Sequence, residues 1–379
     1  MKTKTNKTSN RTSASLSVQS NTDWALIEAQ LPSNFRQLAE QRRLIWRNAP
    51  KHIGAKITDI SQILRLVFFH VATNSSLQTT TATAHASKMI TISAVALHKW
   101  MRKIGSYMSE LLELVTPTKD VFAPQRWAGY DIKLVDATVI TRPGACTTTA
   151  RVHYGLSLAS LRPEQIEVTD ETGGETFRRF IAQAGQLWIG DRGYANPPGI
   201  AWLKQSAADV LVRYNRGSLP VYDAKGERVD VLNKVIKKLR RPARAKQWRV
   251  WVHAQDNERI EGRICAVRLP EDKAQEARKR VRKEYGSRAT QEMLQAADFV
   301  IVFTTVPTQK LTCEQILQLY TLRWQVELHI KRDKSIAGLD QLPNFLPETI
   351  YSWICTKLLL VQLTRKIADS GLRSPLPSV

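Results

Sequence analysis

The sequence predicts an α/β protein: a mixed sheet flanked by helices, preceded by a helical N-terminal domain and interrupted by a β-rich insertion. Three observations carry this. Apolar residues recur at spacings of three and four through residues 21–115, with no alternating run among them. From about Asp131, short segments rich in Val, Ile, Leu, Thr and Tyr alternate with helical stretches, the pattern of a layered α/β core. Between Arg216 and about Ala297 the composition turns basic and strand-like before a buried strand and a long helix resume the core.

The opening "MKTKTNKTSNRTSASLSVQS" is polar and free of acids, so residues 1–20 read as a disordered basic arm; it lacks the apolar stretch of a secretory signal. Residues 21–115 form the helical domain, on the strength of "ALIEAQLPSNFRQLAEQRRLIWR" and "ITDISQILRLVFFHVAT". Within it a short helix, a turn and a second helix capped by Ser93 precede Lys99, Arg102 and Lys103. That pair suits helix-turn-helix DNA recognition, and equally a packed helical hairpin with a basic outer face.

Residues 116–215 make the first part of the core: strands "DIKLVDATVIT", "RVHYGLSLAS" and "QIEVTD", a helix "ETFRRFIAQA", and a strand "QLWIGDRGY" ending in a turn. A further helix and strand follow in "GIAWLKQSAADVLVRYN". Residues 216–298 are the insertion, with strand pieces among basic loops and a charged helix "EDKAQEARKRVRKEYGSRATQEMLQAA". Residues 299–379 resume the core with "FVIVFTTVP", one long helix "CEQILQLYTLRWQVELHIKRDKSI" and an apolar closing helix "PETIYSWICTKLLLVQLTRKIADS".

Composition narrows the partners. Lys+Arg of 56 against Asp+Glu of 34 gives a net charge of +22, which makes a polyanion, nucleic acid first, the expected partner. The four cysteines, Cys146, Cys265, Cys313 and Cys355, are too dispersed for a metal knuckle and too few for a disulfide framework, which fits a reducing cytosol. No run of about 18 apolar residues is present, so no membrane span is expected.

Three acids stand out by position. Asp136 interrupts the apolar strand "KLVDATVI", and Asp191 follows the buried stretch "LWIG". Charge at such places costs several kcal/mol unless it is paired or metal-bound. Taken singly, each also fits a turn cap or a buried ion pair. At about 100° per residue, Tyr320, Arg323, Glu327 and Lys334 share a helical stripe about 60° wide, with Lys331 at its edge. An i,i+4 ion pair between Arg323 and Glu327 on a solvated face accounts for that stripe too. Together, three carboxylates from two strands and a helix can hold a pair of hard divalent cations for phosphodiester chemistry.

The blocks "DATVITRPGA", "GDRGYANPPGI" and "YTLRWQVELHIKRDK" resemble the three conserved blocks of DDE transposases of the insertion sequence 4 family. The last matches the family's Y-x2-R-x3-E-x6-K signature residue for residue at Tyr320, Arg323, Glu327 and Lys334. The second matches well at Asp191, Arg192, Gly193 and Tyr194, and the first rests on Asp136 in its strand and Thr138 after it. The resemblance implies a ribonuclease H-like core with Asp136, Asp191 and Glu327 as catalytic and metal-binding triad. Two Mg²⁺ ions are implied, with Mn²⁺ able to substitute. It also implies that Tyr320, Arg323 and Lys334 hold the terminal phosphates of the transposon end, with Arg192, Tyr194 and Lys331 nearby.

Phe299 falls where some relatives trap a flipped base, although the best-studied of them use tryptophan there; a core strand residue is the other reading. Trp248 and Trp251, either side of Arg249, are further stacking candidates, and their placement also suits one face of a strand. The basic runs "KKLRRPARAKQWR" and "EARKRVRKEYGSR" would track the DNA backbone or line exposed loops.

The expected function is therefore that of an insertion-sequence transposase, cutting at terminal inverted repeats and transferring 3′-hydroxyl ends to target DNA by cut and paste. A nuclease without strand transfer and a non-catalytic DNA-binding regulator are the alternatives. Double-stranded DNA, a homodimer in the synaptic complex, no membrane, and a bacterial cytoplasm with nucleoid association complete the expectation.

Overall fold

The computed structural model describes residues 21–45, 57, 59–117, 127–242, 244–254, 258–343 and 347–373. The basic arm expected at residues 1–20 lies outside them. In chain order the elements begin with α1 (Asn21–Glu28), α2 (Phe35–Gln41), α3 (Ile60–Thr73), α4 (Leu77–Ala86), α5 (Ala94–Lys103) and α6 (Gly105–Val115). Next come β1 (Asp131–Ile140), β2 (Ala150–Ser157), β3 (Pro163–Thr169), β4 (Gln186–Gly190), α7 (Pro197–Gln205), β5 (Asp209–Arg213) and α8 (Val231–Lys238). The chain continues through β6 (Lys246–His253), β7 (Arg259–Arg268), α9 (Glu271–Tyr285), α10 (Gln291–Ala296), β8 (Phe299–Thr304), α11 (Cys313–Thr321), α12 (Trp324–Ile336) and α13 (Pro347–Arg373).

Two compact units result: Met1–Thr116 with Ile140–Ala150 and Lys331–Val379, and Pro117–Val139 with Arg151–Ile330. The first is helical. Side chains set its helix starts: Asp59 accepts from the Ser61 N–H, Ser76 from Thr79 and Ser93 from Ala96, the last at the start predicted from sequence. The apolar residues of α3 are buried, among them Ile63, Leu64, Val67 and Phe68 at 0% exposure, each contributing roughly 1.5–3 kcal/mol. Gly105 lets α6 approach α13 closely, since a Cβ there would stand 2.7 Å from the Ser352 hydroxyl oxygen.

The second unit is built on an eight-stranded sheet in the order β3-β2-β1-β4-β5-β8-β7-β6. β4 pairs with β1 in parallel, and β5 with β4 in parallel. β2 and β3 are antiparallel, and on the other flank β8, β7 and β6 follow β5 in antiparallel pairs. The first five strands thus have the ribonuclease H-like order, an antiparallel meander continued by two parallel strands. The segment 216–298 does not build a sheet of its own, because β6 and β7 continue this one beyond β8. Val135, Trp188, Val210, Tyr194 and Phe303 pack in one apolar cluster on the sheet.

Three local expectations change. The helix predicted in "ETFRRFIAQA" is a single 3-10 turn, Phe177–Arg179. Its continuation is captured by β3 instead: the Gln165 amide donates to the Ile181 carbonyl at 2.9 Å and accepts from the Ile181 N–H at 2.8 Å. The predicted long helix is broken between α11 and α12, where Leu322, Arg323, Gln325 and Val326 donate to carbonyls three residues back. Such 3-10 bonding winds the chain more tightly than 100° per residue, so the single stripe drawn through Tyr320 and Lys334 is interrupted at Arg323. Finally, Trp248 and Trp251 are three apart on β6 and so point to opposite sides of the sheet.

Candidate active site

Register brings the two aspartates together. β1 and β4 pair from Asp131 opposite Gln186 to Leu134 opposite Ile189, and continuing that register by two residues puts Asp136 level with Asp191. Adjacent strands lie about 4.8 Å apart, so both carboxylates occupy one small region at the carboxyl ends of parallel strands. The Ala137 N–H donates to Asp136 Oδ1 at 2.9 Å, and the Gly193 N–H donates to Asp191 Oδ1 at 2.7 Å. The turn after β4 therefore fixes Asp191 through its own backbone.

Glu327, in the first turn of α12, completes the group. Arg323 bonds it through Nη2, and the other amino group, Nη1, lies 3.7 Å from Asp136 Oδ2. Because Arg323 stands in the helix break, its guanidinium joins the helix to β1. Burial pushes the Asp136 carboxyl up to about 7; the Asp191 and Glu327 charges push the same way, against the Ala137 N–H and Arg323. Asp209, an acid in the same sheet, shows the contrast. It accepts from Tyr130 at 2.5 Å, Lys204 at 2.8 Å and Thr305 at 2.7 Å. Burial opposes its ionisation, but these partners hold its carboxyl below the usual range. Asp209 is satisfied by protein, whereas Asp136 is crowded by other carboxylates with one distant cation.

One acid in this region was missed from sequence. Glu175, between β3 and the 3-10 turn, is pushed up by burial and by Asp191, against Arg151. The signal was slight: a single acid after two glycines in "TGGETF".

The oxygen-only donor set of Asp136, Asp191 and Glu327 suits a hard divalent cation. Among the described residues, no three His, Cys, Asp or Glu side chains already converge closely enough to hold an ion. Arg323 draws Glu327 to itself, and neighbouring carboxylates repel one another.

The other expected DNA contacts divide. Tyr320 is mostly buried; burial raises its hydroxyl, opposed by Arg323 and Arg213. Arg213, at the end of β5, donates Nη2 to the Phe299 carbonyl at 3.0 Å. Arg192 and Lys331 are exposed. Lys334 follows Glu327 along α12 and belongs to the helical unit. Tyr194 is 0% exposed with its ring 5.2 Å from that of Phe177, so it is a core residue rather than a DNA contact.

Phe299 is 4% exposed and lies in the core, with one edge lining a cavity of about 600 Å³ shared with Arg192, Tyr214, Arg280 and Met293. Trp248 leans on the core cluster. Trp251 lies instead between two guanidiniums, with Arg249 5.2 Å and Arg259 5.3 Å from its ring centre.

A family model described as "Transposase DDE domain" matches residues 127–361. The chain is 30% identical over 328 residues to the InsL protein of insertion sequence element IS186A from Escherichia coli strain K12, covering 84% of this chain and 88% of that one. It is 30% identical over 329 residues to the transposase for insertion sequence element IS421 from Escherichia coli, with the same coverages of 84% and 88%. Among solved structures, a piggyBac transposase synaptic complex with hairpin DNA aligns with a TM-score of 0.45 and 9% identity, covering 92% of this chain and 75% of that one.

Proposed function

The chain belongs to the DDE transposase family, and on that premise we propose that it cuts DNA at the terminal inverted repeats of an insertion sequence and joins the freed 3′-hydroxyls to target DNA. The observation that carries the site assignment is that Asp191, level with Asp136 across β1 and β4, and Glu327, held through Arg323, both act on the buried Asp136 carboxyl. These three residues would hold two Mg²⁺ ions, or Mn²⁺ in their place. Bound divalent cations activate a water or 3′-hydroxyl and stabilise the leaving oxygen.

The protein's own groups do the rest. The Gly193 N–H holds the Asp191 carboxylate in place through one lone pair of Oδ1, which leaves lone pairs on both of its oxygens for a cation. Arg323 holds Glu327 beside Asp136 and, once the carboxylates are neutralised, has a DNA phosphate as its alternative partner. The Tyr320 hydroxyl lies under the influence of both Arg323 and Arg213, an environment that favours an anion next to it. Arg192 is exposed next to Asp191 in sequence, and Lys331 and Lys334 follow Glu327 on α12 as further proposed phosphate contacts. Phe299 would give the 600 Å³ cavity an apolar wall against which an extruded base could rest.

Double-stranded DNA at the transposon ends and target is the proposed partner, in a synaptic complex of two protomers. The helical domain of residues 21–115, with Lys99, Arg102 and Lys103 on α5, is the proposed end-binding module, and the bacterial nucleoid the place of action. Among the described residues no helix is long and apolar enough to cross a membrane.

The test is a supercoiled plasmid carrying the element's inverted repeats, incubated with protein and Mg²⁺. End-specific nicks and joined products should form with wild type and fall to background with Glu327→Ala. Undiminished nicking by that variant would refute the assignment. Cleavage with no joined product would point to a nuclease, and end binding with no cleavage to a regulator.

A further inference from the structure

Gly193 sits directly behind Asp191, and what its hydrogen faces is informative. A Cβ built there would stand 1.9 Å from Glu175 Oε2 and 3.1 Å from Asp191 Oδ1. Those two carboxylate oxygens therefore lie at most about 5 Å apart, with only the missing side chain of Gly193 leaving room for them. Two oxygens bound to one divalent ion at metal–oxygen distances of about 2.0–2.6 Å are at most about 5 Å apart, so this ceiling is compatible with a shared ion. Arg151 is the cation whose charge acts on Glu175. The Arg151 guanidinium instead donates Nη1 to the Gly173 carbonyl at 3.0 Å, and its Nε has no partner.

A second observation points into the same space. The Tyr194 hydroxyl is buried and, among the described residues, has no hydrogen-bond partner; after burial itself, the charges acting on it are those of Glu175, Asp136 and Asp191, opposed by Arg179. A buried hydroxyl left without a partner is costly, by about 1–3 kcal/mol, which favours an arrangement that supplies one. Repositioned carboxylates or an ion-bound water would do so.

We propose that Glu175 is a fourth carboxylate of the cation-binding centre, acting with Asp191 as an oxygen donor to a divalent ion, and that Gly193 is glycine to admit it. This rests on the metal-dependent reading above and extends it by one ligand. Glu175 reaches the site from the segment after β3, an element that supplies none of the other three acids.

The test reads ion binding, not DNA cleavage. Mn²⁺ is titrated into the full-length protein and followed by electron paramagnetic resonance, for wild type, Asp191→Asn, Glu175→Gln and Gly193→Ala. Circular dichroism and thermal melts without metal establish that each variant is folded. Glu175→Gln should weaken Mn²⁺ binding about tenfold or more. Gly193→Ala should do the same, because its methyl group displaces the flexible end of Glu175 without backbone strain. Glu175→Asp should recover part of the loss.

Wild-type affinity in folded Glu175→Gln would overturn the proposal, even if Gly193→Ala were impaired, since the glycine variant would then act through Asp191 alone. Failure of the underlying reading looks different. In that case Asp191→Asn binds Mn²⁺ as well as wild type, or wild type binds none.

Discussion

The environment of Asp136 opposes its ionisation. Its carboxyl is raised from 3.8 to about 7 by burial and by its acidic neighbours. The sign follows: between those two values the folded protein binds a proton that the unfolded chain has lost, so stability falls as pH rises from about 4 to about 7. At about 1.4 kcal/mol per pKa unit the full effect is on the order of 4 kcal/mol. Asp136→Asn should therefore raise the melting temperature of the metal-free protein at pH 8, by an amount that shrinks toward pH 4, while abolishing cleavage. Added Mg²⁺ should stabilise wild type and leave the variant unmoved; equal melting curves for the two proteins across this range would contradict this. Asp136, Asp191 and Glu327 could be picked out as candidates from the sequence because acids inside apolar strands, and a signature of fixed spacing, are local patterns. Glu175 was not, because its nearness to Asp191 depends on the fold and on the absence of a side chain at Gly193.

Among the elements, α11 and α12 show where periodicity misleads. Neither glycine nor proline marks their junction, and the apolar spacing runs on unbroken through "QLYTLRWQVEL". The break is visible only in the backbone bonds around Arg323, and it places the guanidinium where one helix ends and the next begins. The start of α11 is better specified. Thr312 accepts from the Gln315 N–H while the Gln315 side chain accepts from the Thr312 N–H, a reciprocal capping box. The adjacent Cys313 thiol donates to the Lys246 carbonyl on β6 at 3.3 Å, tying this end of the helix to the sheet. Thr312→Ala should lower stability by about 1 kcal/mol in chemical denaturation. Faster amide exchange in the first turn of α11 should accompany it, and unchanged exchange there would show that the cap does not hold the helix.

For the molecule as a whole, charge and topology differ in how far they could be read. The net charge of +22 is a property of composition and needs no fold. If about ten phosphates are neutralised, the logarithm of the DNA association constant should fall with the logarithm of salt concentration at a slope of roughly −9. A fluorescence-anisotropy titration series between 50 and 200 mM salt measures this, and a slope near zero would deny that phosphates dominate binding. The path of the sheet was harder to foresee. Short apolar segments announced strands, but nothing local says that β8 inserts between β5 and β7, or that the basic segment's own strands extend the sheet. Those pairings join residues far apart in sequence, for which alternation along one strand carries no information.

That order of elements has a consequence during synthesis. Glu327 lies on α12, after every strand of the sheet. A ribosome therefore releases the basic N-terminal helices first and the third acid only when all eight strands have been made. A nascent or prematurely terminated chain would carry DNA-attracting charge without a complete cutting centre. On the proposed assignment, the capacity to break DNA would thus be withheld until the last of the eight strands has been made.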